Sequence, residues 1–164
     1  MNVLVVSDTH GNLMWLMELL NRVKPIDLLV HAGDLGCTKK RLEELAGCRV
    51  YAVRGNCDYE YDLKPEEHFM LGTHKVLLVH GHHYSVDYGT EMLCDRAKQQ
   101  GAELVIFGHT HRQHLSDQDG ITFLNPGSIS RPRDEGGKHG FAWVELDASG
   151  NLHYTLNQLE PQEG

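Results

Sequence analysis

Five short stretches of the chain each enclose an unbroken apolar run: "NVLVVS", "IDLLVHAG", "CRVYAV", "HKVLLVH" and "ELVIFG". Unbroken runs of this length are strands of the buried type, as found where a sheet is covered on both faces. The segments between the first three carry helical spacing. Leu13, Leu16, Met17, Leu20 and Val23 fall on one helix face, with Asn12 as the expected N-cap. Thr38 caps a short helix bearing Leu42, Leu45 and Ala46, and Gly47 suits its C′ position. Strand, helix, strand with short links predicts parallel pairing and right-handed crossovers.

Further along, "EEHFML" and "HKVLLVH" flank Gly72-Thr73 and read as a hairpin, and Thr90 to Gln100 is a helix closed by Gly101. Asp119-Gly120 and Ser149-Gly150 are hairpin turn signals, separated by a Pro/Gly/Arg-rich loop over 125–140. The residues alone predict one α/β domain over 1–164, parallel in its first half and antiparallel in its last third.

With 164 residues and 40% apolar content the chain is long enough for a proper core. A net charge of −8 and the lack of a basic stripe argue against nucleic acid as a partner. No apolar stretch approaches the roughly 18 residues of a membrane span, so no membrane partner is expected. The strand-like run begins at Asn2 and leaves no room for a signal or transit peptide. Cys37, Cys48, Cys57 and Cys94 have no C-x-x-C spacing and read as reduced thiols, which places the chain in the cytoplasm. A homo-oligomer is compatible with this sequence.

Each buried run gives way to polar residues of one particular kind. Asp8-Thr9-His10, Asp34, Asn56, His80-Gly81-His82 and His109-Thr110-His111 each stand where an apolar run stops. In open α/β sheets, ligands bind beyond the carboxyl ends of the strands. One Asp in such a place is ordinarily a cap or turn residue. Five strand ends bearing only metal-competent side chains are not explained by turns. Asp8, His10, Asp34, Asn56, His80, His109 and His111 make seven candidate donors even without His82, more than one open-sited ion takes from protein. A carboxylate can bridge, and two divalent ions about 3.5–4 Å apart form a clamp for in-line displacement at phosphorus. Mixed imidazole, carboxylate and amide ligands suit two divalent transition-metal ions per chain, manganese first, with nickel, iron or zinc as alternatives. Such a pocket stays cationic in an acidic protein and favours a phosphate-ester small molecule.

In order, "DTH", "GD", "GN", "HG" and "GHTH", followed by "NPGS" at 125–128, resemble the motif series of the calcineurin-like metallophosphoesterases. The short length, without a cap insertion, is most similar to the small YfcE-like phosphodiesterases, whose compact fold the retromer subunit Vps29 shares. The resemblance implies two mixed β-sheets packed as a sandwich and flanked by helices, an αββα arrangement. It implies Asp8, His10 and His111 on a first metal, Asn56, His80 and His109 on a second, and Asp34 bridging them. A hydroxide held between the ions would attack phosphorus in line, so Asp34, Asn56 and His80 would be catalytic through it.

One departure from the superfamily pattern stands at Cys57, where many members have a His that protonates the leaving group. The Asp that pairs with that His has its counterpart at Cys37, so no general acid is assigned. Cys57 is a small pocket residue, a proton donor whose thiol pKa falls near the metals, or half of a redox pair with Cys37. The remaining residues carry weaker expectations. His31 reads as a satisfied core histidine, and His82 and His83 as pocket-lining or surface residues. Arg131 and Arg133 either bind a substrate phosphate or are solvated charges. Asn125 and Gly127 shape a turn near the site. The function expected is phosphodiester hydrolysis; the alternative is a non-catalytic metal-binding scaffold of the same fold. A nuclease subunit fits poorly, given the charge and the lack of room for a DNA-binding cap.

Overall fold

A computed structural model describes residues 1–58 and 61–160. In chain order the elements are β1 (Asn2–Val6), α1 (Met14–Val23), β2 (Leu28–His31), α2 (Lys39–Ala46), β3 (Arg49–Ala52), β4 (Glu66–Leu71) and β5 (His74–Val79). They continue with α3 (Glu91–Gln100), β6 (Leu104–Ile106), β7 (Gln113–Gln118), β8 (Ile121–Pro126), β9 (His139–Leu146) and β10 (Leu152–Leu159). The strands form two five-stranded sheets, ordered β10-β9-β1-β2-β3 and β4-β5-β6-β8-β7.

Both sheets are mixed. In the first, β1, β2 and β3 run parallel, and the β9–β10 hairpin adds antiparallel on the free side of β1. In the second, β5, β6 and β8 run parallel while β4 and β7 flank them antiparallel. The chain is therefore not parallel in one half and antiparallel in the other, as the order of turns along the sequence indicated. The second sheet has a parallel centre between two antiparallel edges made by hairpin partners, whereas the first is parallel out to its β3 edge and antiparallel only on the β9–β10 side.

The unbroken apolar runs follow from four layers. Val3, Val5 and Val30 face Val76, Leu78, Leu104 and Ile106 between the sheets. On the opposite pleat, Leu4, Val6 and Leu29 pack against Leu16, Leu20 and Leu42 of α1 and α2. Leu77, Val105 and Phe123 likewise meet Leu93 and Ala97 of α3. A strand covered on both sides has no place for a polar residue until it leaves the layer. Thr38 accepts a hydrogen bond from Arg41 N and Gly47 closes α2 at φ 66°, as the capping pattern predicts. At α1 the cap position is Leu13 rather than Asn12. Asn12 N is held by Thr9 O in the turn leaving β1, so the helix starts one residue later and the Asn12 side chain accepts from Met14 N instead. Among the described residues no helix is long and apolar enough to cross a membrane.

Candidate metal centre

The parallel strands β1, β2 and β3 end at one rim, and β5 and β6 end facing them. Pairing continues past the strands. Asp8 N, His10 N and Gly11 N donate to Gly33 O, Asp34 O and Leu35 O, and Gly108 N donates to His80 O. The two rims are joined where His109 N donates to Asp8 Oδ2 at 3.1 Å. Two glycines of the sequence motifs are there for space. A Cβ on Gly55 would sit 2.1 Å from Asp34 Oδ1, and one on Gly108 would sit 2.1 Å from Ser7 Oγ and 2.8 Å from Asp8 Oδ2. Asp8, His10, Asp34, His109 and His111 all have left-handed backbone, with φ between 48° and 72°. The left-handed conformation costs a non-glycine residue about 1–2 kcal/mol, and such strain gathers where side chains must be aimed at a site.

The donors converge on two neighbouring points. Asp8 Oδ1 lies 3.2 Å from His111 Nε2, 3.6 Å from His10 Nε2 and 3.8 Å from His80 Nε2. Asp34 Oδ2 lies 3.2 Å from His80 Nε2 and 3.6 Å from His10 Nε2. Asn56 Oδ1 is 3.1 Å from His80 Nε2. Three compact donor groups result: Asp8 with His10 and His111, Asp8 with Asp34 and His80, and His10 with Asp34 and Cys57. His109 stands to one side. Its ring centroid is 5.1 Å from that of His80, and its Nε2 is 3.2 Å from Asp87 Oδ2.

These residues fit a bound cation on three grounds. Asp8 Oδ1 is fully buried with no hydrogen-bond partner, which is costly unless something else satisfies it. His10 Nε2 and His111 Nε2 point at each other across 3.2 Å. Two buried carboxylates facing three imidazoles also form a receptor for positive charge. Burial pushes the Asp8 carboxyl up, but His10, His111 and His80 outweigh it and hold it well below the usual range. Burial pushes His80 down, while Asp34 and Asp8 prevail and raise it. Hydrogen bonding fixes the rings as well. His80 Nδ1 donates to Ala32 O and His111 Nδ1 donates to Arg131 O, each at 2.7 Å, which leaves both Nε2 atoms facing the centre.

His10, Asp34, Asn56, Cys57, His109, His111, Arg131 and Arg133 line one open cleft of about 480 Å3. Arg131 and Arg133 thus reach the same wall. His82 and His83 do not; with His80 they border a separate cavity of about 390 Å3 that also contains Tyr84 and Arg96. Asn125 braces the His109 loop, its Nδ2 donating to Gly108 O and Thr110 Oγ1. Gly127 N returns a bond to Asn125 Oδ1. Cys57 is exposed on the cleft, and burial and the Asp34 charge raise its thiol pKa in the metal-free chain. Cys37 packs against the helix-side core and is pushed up to about 11 by burial and Asp58. The two thiols occupy different surroundings and both are free.

Several working residues lie outside the donor set expected from the sequence. Asp58 is fully buried and accepts from Leu35 N, Gly36 N and Gly55 N, clasping the loops after β2 and β3. Ser128 Oγ donates to Asp8 O and accepts from Arg131 N. The "NPGS" stretch was the available hint for Ser128; nothing marked Asp87.

His31 is the satisfied core histidine that the sequence predicts. Its Nδ1 accepts from Gly33 N, so Nε2 carries the proton toward Thr9 Oγ1, which in turn donates to Leu35 O. Burial lowers its pKa from 6.5 to about 4. Below pH 6.5 the unfolded chain binds a proton that the folded one refuses until about pH 4. Stability from this group is therefore complete above 6.5 and declines by about 3 kcal/mol as pH falls to 4. Urea unfolding between pH 7 and 4 should show that decline, and His31→Gln should flatten it.

A sequence profile described as the calcineurin-like phosphoesterase superfamily domain matches residues 1–149. A probable metallophosphoesterase, YsnB of Bacillus subtilis, is 36% identical over 136 residues, covering 81% of this chain and 78% of its own. The phosphodiesterase YfcE of Escherichia coli K12 is 30% identical over 159 residues, covering 81% of this chain and 82% of its own. Among solved structures, a predicted phosphoesterase from Streptococcus pneumoniae TIGR4 superposes with a TM-score of 0.78 at 26% identity, over 96% of this chain and 97% of that one. Vps29 of Entamoeba histolytica, complexed with zinc, shares the fold with a TM-score of 0.74 at 24% identity, over 96% and 99% of the chains.

Proposed function

The chain belongs to the calcineurin-like phosphoesterase superfamily, and from that premise we propose that it is a phosphodiesterase using two divalent metal ions. The observation that carries this reading is Asp34 Oδ2, set 3.6 Å from His10 Nε2 on one side and 3.2 Å from His80 Nε2 on the other. One carboxylate serving two adjacent donor sets is what a bridged pair requires. Asp8, His10 and His111 would hold the first ion, Asn56, His80 and His109 the second, and Asp34 would serve both. When bound, the ions lower the pKa of water and place positive charge against the phosphoryl oxygens.

The remaining work falls to the chain itself. Ala32 O and Arg131 O hold His80 and His111 in the tautomer that leaves Nε2 bare. Cys57 N donates to Asp34 Oδ1 at 2.8 Å and fixes the plane of that carboxylate. Arg131 and Arg133 on the cleft wall receive phosphate oxygens, a task suited to the guanidinium fork. No residue is assigned as proton donor to the leaving group, so the reading favours esters whose leaving group departs as a stable anion.

The test is hydrolysis of bis(p-nitrophenyl) phosphate with added Mn2+, together with metal content by mass spectrometry. Expected are two ions per chain, turnover that a chelator abolishes, and recovery on re-addition of Mn2+. A correctly folded chain that binds metal yet turns over no phosphate ester with any divalent ion would sink the enzymatic reading in favour of a scaffold.

A further inference from the structure

We propose that Asp87 is a positioning residue for His109, fixing which ring nitrogen is offered to the second ion. This inference rests on the dinuclear reading above. Of the three imidazoles carried by the β5 and β6 ends, two have one nitrogen tied to a backbone carbonyl. For His80 it is Ala32 O and for His111 it is Arg131 O, both taking the Nδ1 proton. Each ring is thereby locked with a known nitrogen toward the centre.

For His109 the only oxygen partner of the ring among the described residues is Asp87, with Oδ2 at 3.2 Å from Nε2. A carboxylate has no proton to give, so its charge 3.2 Å from Nε2 favours the tautomer with the proton on Nε2 and the lone pair on Nδ1. A carboxylate behind a ligating histidine sets ring orientation and raises ligand basicity. Asp87 would therefore turn His109 the opposite way round from His80 and His111. The same contact accounts for the place of His109 outside the compact donor groups while Asp8 anchors its backbone N.

Asp87 is held for this role by its own segment. After His80 the chain makes a 3-10 turn over His82–Tyr84. It then passes Ser85 in left-handed backbone at φ 52°, with Tyr88 N donating to Ser85 O. The segment that leaves β5 so supplies one metal donor directly and the partner of another. Asp87 is half exposed, at 52% of its side-chain surface. A contact that open contributes little to stability, which separates orientation of His109 from bracing of the fold. Asp87 also stands between the metal cleft and a neighbouring cavity of about 400 Å3 containing Thr90, Arg112 and Arg133.

The experiment compares wild type with Asp87→Ala and Asp87→Asn in two measurements. Long-range 1H–15N spectra of the metal-free protein report the imidazole tautomers. Wild type should show His109 protonated at Nε2, Asp87→Ala should lose that preference, and the His80 signal should not move. In Mn2+ titrations, Asp87→Ala should weaken the second ion by about 10–100-fold while the first changes by less than about twofold. Asp87→Asn keeps an acceptor oxygen and should stay close to wild type. Unchanged affinities in Asp87→Ala, equal weakening of both ions, or an Asp87→Asn as weak as Asp87→Ala would each overturn the assignment. A wild type that takes up no second ion would overturn the dinuclear reading instead, and the His109 tautomer in the metal-free spectra would tell the two failures apart.

Discussion

Asp34→Asn should lower turnover of bis(p-nitrophenyl) phosphate by about a thousandfold, roughly 4 kcal/mol of transition-state stabilisation, with little change in the fold. The replacement has the same shape. Its amide oxygen can still accept from Cys57 N, as Asp34 Oδ1 does at 2.8 Å. The other atom is the one that changes. Asp34 Oδ2, between His10 Nε2 and His80 Nε2, becomes an amide nitrogen that carries hydrogens where lone pairs are needed. One negative charge also leaves a centre where two buried carboxylates face three imidazoles. Kinetics at saturating Mn2+, with a melting curve beside them, check this. Activity within tenfold of wild type would mean that Asp34 does not bridge.

Asp58→Ala should be the most destabilising single change near the site, by about 4 kcal/mol in urea unfolding, or about 10 °C in melting temperature. Its carboxylate is fully buried and accepts from three backbone N–H groups, those of Leu35, Gly36 and Gly55. Alanine leaves all three donors without that acceptor, two of them, Leu35 N and Gly55 N, in buried surroundings. Asp58→Asn retains one acceptor oxygen and should lose about half as much. A loss below about 1 kcal/mol in the alanine variant would show that the loops after β2 and β3 are held by something else.

The same residues show what a sequence discloses and what it withholds. The donors at the strand ends were legible because burial on both faces keeps the middles of β1, β2, β5 and β6 apolar, so the metal-competent side chains that follow them stand out. The α2 boundaries were legible because Thr38 and Gly47 act on their nearest neighbours. The position of β9 beside β1 was not. Both strands are apolar, and only tertiary packing decides which edge a late hairpin joins. Asp58 could not be told from any turn residue, since its three partners lie on two separate loops. Arg131 drew notice for its guanidinium, yet its backbone carbonyl is what fixes His111, and no side-chain identity encodes that. Asp87 meets His109 only because the segment after β5 curls back toward the end of β6.

The docking of β9 against β1, with Val5 opposite Ala142, has a consequence for synthesis on the ribosome. β1 leads directly to Asp8 and His10, yet β9, one of its two sheet neighbours, is made long after it. Until that partner arrives, the strand bearing the first donors has an open hydrogen-bonding edge. His109 and His111, and Ser128 which steadies Asp8, also emerge late. The donor set is thus incomplete until His111 has been made, and a nascent chain interrupted before β9 presents a sticky strand edge.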